Sequence, residues 1–194
     1  MLDPIIESIK NTAKGVDEHF DYPTCPGIYA FMLKGNSTLK DFGKPNQVLY
    51  VGIAKESLKK RDLGNHFDST KTGVSTLRRS LGAILKEDLK LKSFSRNGTN
   101  CKREILNYKF NEEGEKLLTD WMNENLIVGF WKDENLIPYS ELRDWEEKVI
   151  KILKPPLDLD KRTKKYNTLA DKLDGLRRIC RTEAESEFKK KNKN

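Results

Sequence analysis

Cysteine is the first shortage. Cys25, Cys101 and Cys180 are an odd number, far apart, with no Cys-x-x-Cys pair. That pattern argues against a zinc site and against a disulfide framework, and it suits a reducing cytoplasm. Long apolar runs are missing too, so no segment approaches the length of a membrane span. The start, Met1-Leu-Asp-Pro-Ile-Ile6, lacks the basic residues and small-residue cleavage site of a signal peptide. Internal repeats are absent, and the only biased segment is the lysine-asparagine end. Hydrophobic residues make up 36% against 35% charged ones, so a soluble, heavily solvated, cytoplasmic protein is expected. The 194 residues suit one domain with elaborations, large enough for a real core.

What the chain has in excess is positive charge, unevenly placed. Its net +7 divides into −1 for residues 1–54, +8 for 55–109, −6 for 110–159 and +6 for 160–194. Basic blocks suit a polyanion such as DNA, because each neutralised phosphate releases counterions. The same lysines would also serve simply to solvate helix faces. For Lys189 to Lys193 a solvated or disordered end is the preferred reading.

Periodicity gives an alternating set of helices and strands. Residues 2–19 read as a helix with Ile5, Ile6, Ile9 and Val16 in an incomplete stripe. Gly27-Ile-Tyr-Ala-Phe-Met-Leu33 and Gln47-Val-Leu-Tyr-Val-Gly52 read as strands, joined by a turn-rich stretch with Gly35, Asn36, Gly43 and Pro45. A basic helical segment follows from Ile53. Ser75 to Leu85 reads as a helix with Leu77, Leu81, Ile84 and Leu85 on one face and Arg78 and Arg79 facing outward. A loop over 92–102, a strand over Arg103 to Phe110 and a helix over Glu112 to Glu124 are expected next. Leu126 to Trp131 should be a further strand. Pro138 should open a helix from Tyr139 to Leu153, stopped by Pro155-Pro156. Leu169, Leu173, Leu176 and Ile179 are spaced for a last, docking helix. The class is α+β: a small, mainly antiparallel central sheet flanked by helices, with helical elaborations. Its expected divisions are a helix at 1–20, a body at 21–160 with an insertion near 68–139, and a basic segment at 161–194.

Within this pattern Gly27-Ile28-Tyr29 and Tyr50-Val51-Gly52 place a tyrosine on each of two paired strands, where both phenols can face one pocket. Strand tyrosines more often simply pack. The helix that follows carries Leu58-Lys59-Lys60-Arg61, then His66-Phe67. Far downstream comes Glu146-Glu-Lys-Val-Ile-Lys-Ile-Leu-Lys-Pro-Pro-Leu-Asp158. In this order the motifs resemble the GIY-YIG endonucleases, well over 26–67 and 140–158 and less across 68–139. The family pattern has asparagine where this chain has Asp158, which keeps one acceptor, loses the amide donor and adds charge.

The resemblance implies a phosphodiester endonuclease acting on DNA with magnesium or manganese. Glu146 would ligate the cation; the spacing to Asp158 favours it over its neighbour Glu147. Arg61 would hold phosphate oxygens with its forked donors. Tyr29 would be general base or relay, acidified by the metal and Arg61, and Tyr50 would orient water or phosphate. His66 is a further catalytic candidate, although five residues from Arg61 is poor spacing for one helix face and it could equally cover a helix end. Lys55, Lys60, Arg78 and Arg79 are the candidate DNA contacts, and Asp158 a supporting residue. Two other readings stay open: a decayed nucleic-acid-binding module, and a protein-interaction module.

Overall fold

The computed structural model describes residues 2–19 and 21–191. The first elements are α1 (Leu2–Asn11), β1 (Gly27–Leu33), β2 (Val48–Ala54), α2 (Leu58–Arg61), α3 (Thr76–Ile84) and β3 (Ser93–Phe94). They are followed by α4 (Lys102–Leu106), β4 (Lys109–Phe110), α5 (Glu112–Asn125), β5 (Leu126–Lys132), α6 (Tyr139–Leu153) and α7 (Ala170–Lys191). The class is α+β, as expected. The chain gathers into two compact units: Met1–Gly64 with Asn123–Ala170, and Asn65–Met122 with Asp171–Asn194. No helix among the described residues is long and apolar enough to cross a membrane.

The first unit is built on an antiparallel sheet of order β2-β1-β5. Central β1 is buried along its whole length, which explains its unbroken apolar sequence. Side chains alternate across the sheet. Ile28, Ala30 and Met32 therefore join Ile5 and Ile9 of α1 and Leu142, Val149 and Ile150 of α6 in one core. Tyr29 and Phe31 point to the opposite face. Tyr29 lies opposite Gly52, and Phe31 opposite Tyr50, so both tyrosines of the two triplets share that face. Pro138 stands at the N-cap of α6, and the helix ends at Lys154 in a left-handed conformation (φ 47°) before Pro155-Pro156. A proline disfavours helical backbone in the residue before it, which fixes that end.

α1 ends at Asn11 rather than running to 19. Thr12 turns its hydroxyl onto Phe130 O (2.9 Å), and Lys14 forms a bridge with Val128. Pairing with β5 outweighs helix continuation, and Val16 lies in a short 3₁₀ turn. The residue at 20 lies outside the described residues.

The second unit combines α3, α4, α5, α7 and the two-residue pair β3–β4. The expected strand over Arg103 to Phe110 is mostly helix: α4 takes Lys102–Leu106 and only Lys109–Phe110 are extended. Lys-Arg-Glu-Ile-Leu are adequate helix formers, and Glu104 is drawn onto Arg96 (2.6 Å) across the preceding loop. The buried face of α7 is Leu173, Arg177, Cys180 and Ala184, while Ile179 is 54% exposed. Lys189 to Lys191 continue that helix in solvent; Asn192 and Lys193 lie outside the described residues.

Arg78 and Arg79 do not face outward. α3 is enclosed from Leu77 through Ile84, and Arg78 is fully buried. Its guanidinium pairs with Glu115 Oε2 (2.8 Å) and donates to Thr119 Oγ1 (2.9 Å) and His66 O (3.1 Å). Arg79 donates to Thr72 O (3.0 Å). These cations hold the second unit together, and neither is available to DNA. Arg78→Ala strands the Glu115 carboxylate and should cost about 3–5 kcal/mol, read as a lower denaturation midpoint. An unchanged midpoint would return Arg78 to a surface role.

Candidate active site

Gly52 explains how the two triplets become one surface. A Cβ there would come within 2.5 Å of the Tyr29 hydroxyl, so only glycine lets the phenol lie across β2. At Gly27, a Cβ would meet Leu58 Cδ1 at 2.8 Å and also strike the Trp131 carbonyl. The bare backbone lets α2 close against the start of β1. Ser57 caps α2 by accepting from Lys60 N (3.2 Å). That short helix delivers Arg61, whose Nε donates to the Tyr29 hydroxyl (3.3 Å).

Tyr29 is fully buried, and its ring centroid lies 6.3 Å from that of Tyr50. Burial raises the Tyr29 phenol well above its ordinary range, with Tyr50 and Asp62 adding to it. Arg61 opposes the shift without cancelling it. The acidification expected from Arg61 is therefore outweighed by desolvation, and Tyr29 keeps its proton in neutral solution. Tyr50 is shifted upward for the same first reason, then by the negative charge of Asp158; Arg61 again opposes, and Glu146 adds. The Tyr50 hydroxyl thus senses Arg61, Asp158 and Glu146 together. Four residues expected from the motifs, and the departure at 158, converge there.

Glu146 projects from α6 and is 7% exposed. Its Oε2 accepts from Arg162 Nη2 (3.0 Å), and among the described residues none donates a hydrogen bond to Oε1. Burial raises its proton affinity, with the Arg162 contact opposing. Asp158 Oδ2 accepts from Val51 N (3.2 Å), tying the loop after α6 to the second triplet. Asparagine would supply that same acceptor through its amide oxygen. Asn167 donates to the carbonyls of Pro156 (2.8 Å) and Asp158 (2.9 Å), closing the loop from its other side.

The Asp158 carboxyl is shifted well upward, first by burial, with the Val51 contact opposing. The folded chain then holds this proton more tightly than the unfolded one. Its contribution to stability is complete below the ordinary carboxylate range and is lost as pH rises through the raised value. Asp158→Asn keeps the acceptor without the charge. It should melt about 2–4 °C higher at neutral pH, the shift given by ~1 kcal/mol in a chain of this size. The difference should vanish in acid, and equal melting at both pH values would show that the charge is not the cost.

Lys55 and Lys60 are exposed. The Lys55 ammonium lies 5.6 Å from the Tyr139 ring centroid. His66 belongs to the second unit, where its Nδ1 meets Ser75 Oγ (2.7 Å) and its ring is fully buried. Ser75 is also the cap of α3, so His66 braces a helix start.

Two features were not foreseen. Asp62, beside Arg61 in sequence, is fully buried and accepts from the Tyr22 hydroxyl at Oδ2 (2.6 Å). Arg162 reaches Glu146 from the loop beyond Asp158. Neither stands out among 37 basic and 30 acidic side chains, and only adjacency to the motif ends could have singled them out.

No curated protein and no solved structure matches the chain. The GIY-YIG catalytic domain, as a family pattern, matches residues 27–179. With that match spanning most of the sequence, and with both triplets, Arg61 and Glu146 gathered about one tyrosine pair, the chain belongs to the GIY-YIG family of nuclease-type domains.

Proposed function

We propose that this chain is a divalent-cation-dependent DNA endonuclease whose phosphodiester cleavage takes place on the first unit. The supporting observation is the Arg61 guanidinium on the Tyr29 hydroxyl beside the Tyr50 ring, with the Asp158 carboxylate on the neighbouring Val51 N–H and Glu146 acting on Tyr50 from α6. Phosphodiester hydrolysis needs charge stabilisation at phosphate and a positioned water. Arg61 holds non-bridging oxygens with its planar fork, and its contact with Tyr29 sets its direction. Tyr29 begins protonated, so it orients the attacking water or the phosphate by hydrogen bonding and passes protons as a relay. Tyr50 completes the polar wall. Lys55 and Lys60 meet the flanking backbone.

Magnesium takes oxygen ligands and is commonly bound by one or two carboxylates with waters and substrate phosphates. Glu146 fits: it is a nearly enclosed carboxylate with one oxygen taken by Arg162 and the other without a hydrogen bond from any described residue. Among the described residues no group of three His, Cys, Asp or Glu side chains assembles, so the protein would bring one or two carboxylates to such a site, Glu146 first. When bound there, magnesium or manganese would supply positive charge to the attacking water and the departing oxygen.

The test is incubation of the purified chain with duplex, branched and single-stranded DNA, with and without magnesium or manganese. Cleavage of at least one form that stops in chelator is the expected result. Salt-sensitive binding without cleavage of any form would instead make the chain a nucleic-acid-binding module, the reading that Asp158 in place of asparagine favours.

A further inference from the structure

Arg162 is held in place before it reaches Glu146. Its backbone N–H donates to Asp160 Oδ1 (2.9 Å), and its Nε donates to the same oxygen (3.1 Å). The backbone closes the turn from Thr163 N (3.0 Å) and Lys164 N (2.7 Å) to Asp160 O. From this anchored turn Nη2 reaches Glu146 Oε2 at 3.0 Å, while Nη1 stands 4.0 Å from Glu147 Oε2. One cation thus serves three carboxylates.

We infer that Arg162 is a positioning residue for the cation site: it fixes the Glu146 carboxylate through Oε2 and leaves Oε1 to the divalent ion. The inference rests on the proposed role of Glu146. Three features separate this from simple competition with a metal. A guanidinium that occupied the carboxylate in place of a cation would engage both oxygens with its fork. Here it takes one. The Asp160 anchor also holds the guanidinium at its post. Finally, the three carboxylates of Glu146, Glu147 and Asp160 still outnumber the guanidiniums of Arg162 and Arg143 that act on Glu146, so attraction for a dication survives. Losing a hydrogen bond that orients a metal-ligating side chain typically costs about 10–100-fold in metal affinity.

The experiment is manganese binding to the full, DNA-free chain, followed by the loss of the free-ion magnetic resonance signal, with thermal melting as the check on folding. Glu146→Gln should remove the site. Arg162→Gln should weaken binding by about 10-fold, and Arg162→Lys, which keeps the charge without the fork, should recover part of that loss. Asp160→Asn loosens the anchor while sparing the pair, and a loss of about threefold is expected. If Arg162→Gln destabilises the chain, the lysine and Asp160 variants decide alone. Binding as tight as wild type, or tighter, in the Arg162 and Asp160 variants would overturn the positioning role while leaving Glu146 as ligand. Undiminished binding by Glu146→Gln would remove the ligand role, and this inference with it.

Discussion

Glu146→Ala is expected to reduce DNA cleavage by at least about 10³-fold, some 4 kcal/mol of transition-state stabilisation, with melting behaviour retained. The size of the effect follows from the protein's donor set. Glu146 is the carboxylate that Tyr50 senses from α6, and its Oε1 receives no hydrogen bond from the described residues. The folded state should tolerate the loss, because Arg162 keeps its bond to Asp160 and is partly open to solvent. Glu147 provides the internal control. It lies one position along the same helix, a third exposed and 4.0 Å from Arg162, so Glu147→Ala should produce a much smaller loss. Single-turnover cleavage by the two variants, with DNA in excess of its dissociation constant, makes the comparison. Full activity in a folded Glu146→Ala chain would remove the cation site from α6.

Arg61→Lys should lower turnover by roughly 10²-fold while DNA affinity changes by only a few-fold, on the scale seen when one preorganised donor to a developing anion is removed. Lysine preserves the charge that attracts DNA but has a single ammonium in place of a planar fork. It also loses the Nε donor that joins Arg61 to the Tyr29 hydroxyl at 3.3 Å. With that donor gone, only the charge at position 61 still opposes the burial that keeps the Tyr29 proton in place. Separate measurement of binding and of cleavage at saturation distinguishes the two effects. Wild-type turnover would reduce Arg61 to a solvated helix charge.

The parts of the fold and site that were legible share a property: their partners are near in sequence or fixed by strand register. Both triplets lie on strands joined by one loop, and alternation alone puts Tyr29 and Tyr50 on a common face. Pro138 and Pro155 mark α6 by their own backbone constraints. What was missed depends on remote partners. Arg78 looks like an outward cation until Glu115, 37 residues away, is placed beside it. His66 looks free until Ser75 turns out to be both its partner and the cap of α3. The alternation over Arg103 to Phe110 was overridden by the helical preference of Lys102–Leu106 and the Arg96–Glu104 pair. The upward shift of Tyr29 is a property of complete enclosure, which local pattern does not measure.

The packing of the Tyr29 phenol over Gly52 bears on how such a site can vary through descent. Two triplets separated by more than twenty positions behave as one inherited unit, since the vacancy at one end is shaped by the ring at the other. An alanine arriving at 52 would push the phenol off its seat and with it the oxygen that meets Arg61, so the lesion would be felt on α2. A smaller side chain arriving at 29 would release position 52 from its constraint. Relatives that have abandoned the tyrosine should therefore be the ones in which the glycine drifts, and the two losses together would mark a lineage that has given up this chemistry while retaining the sheet.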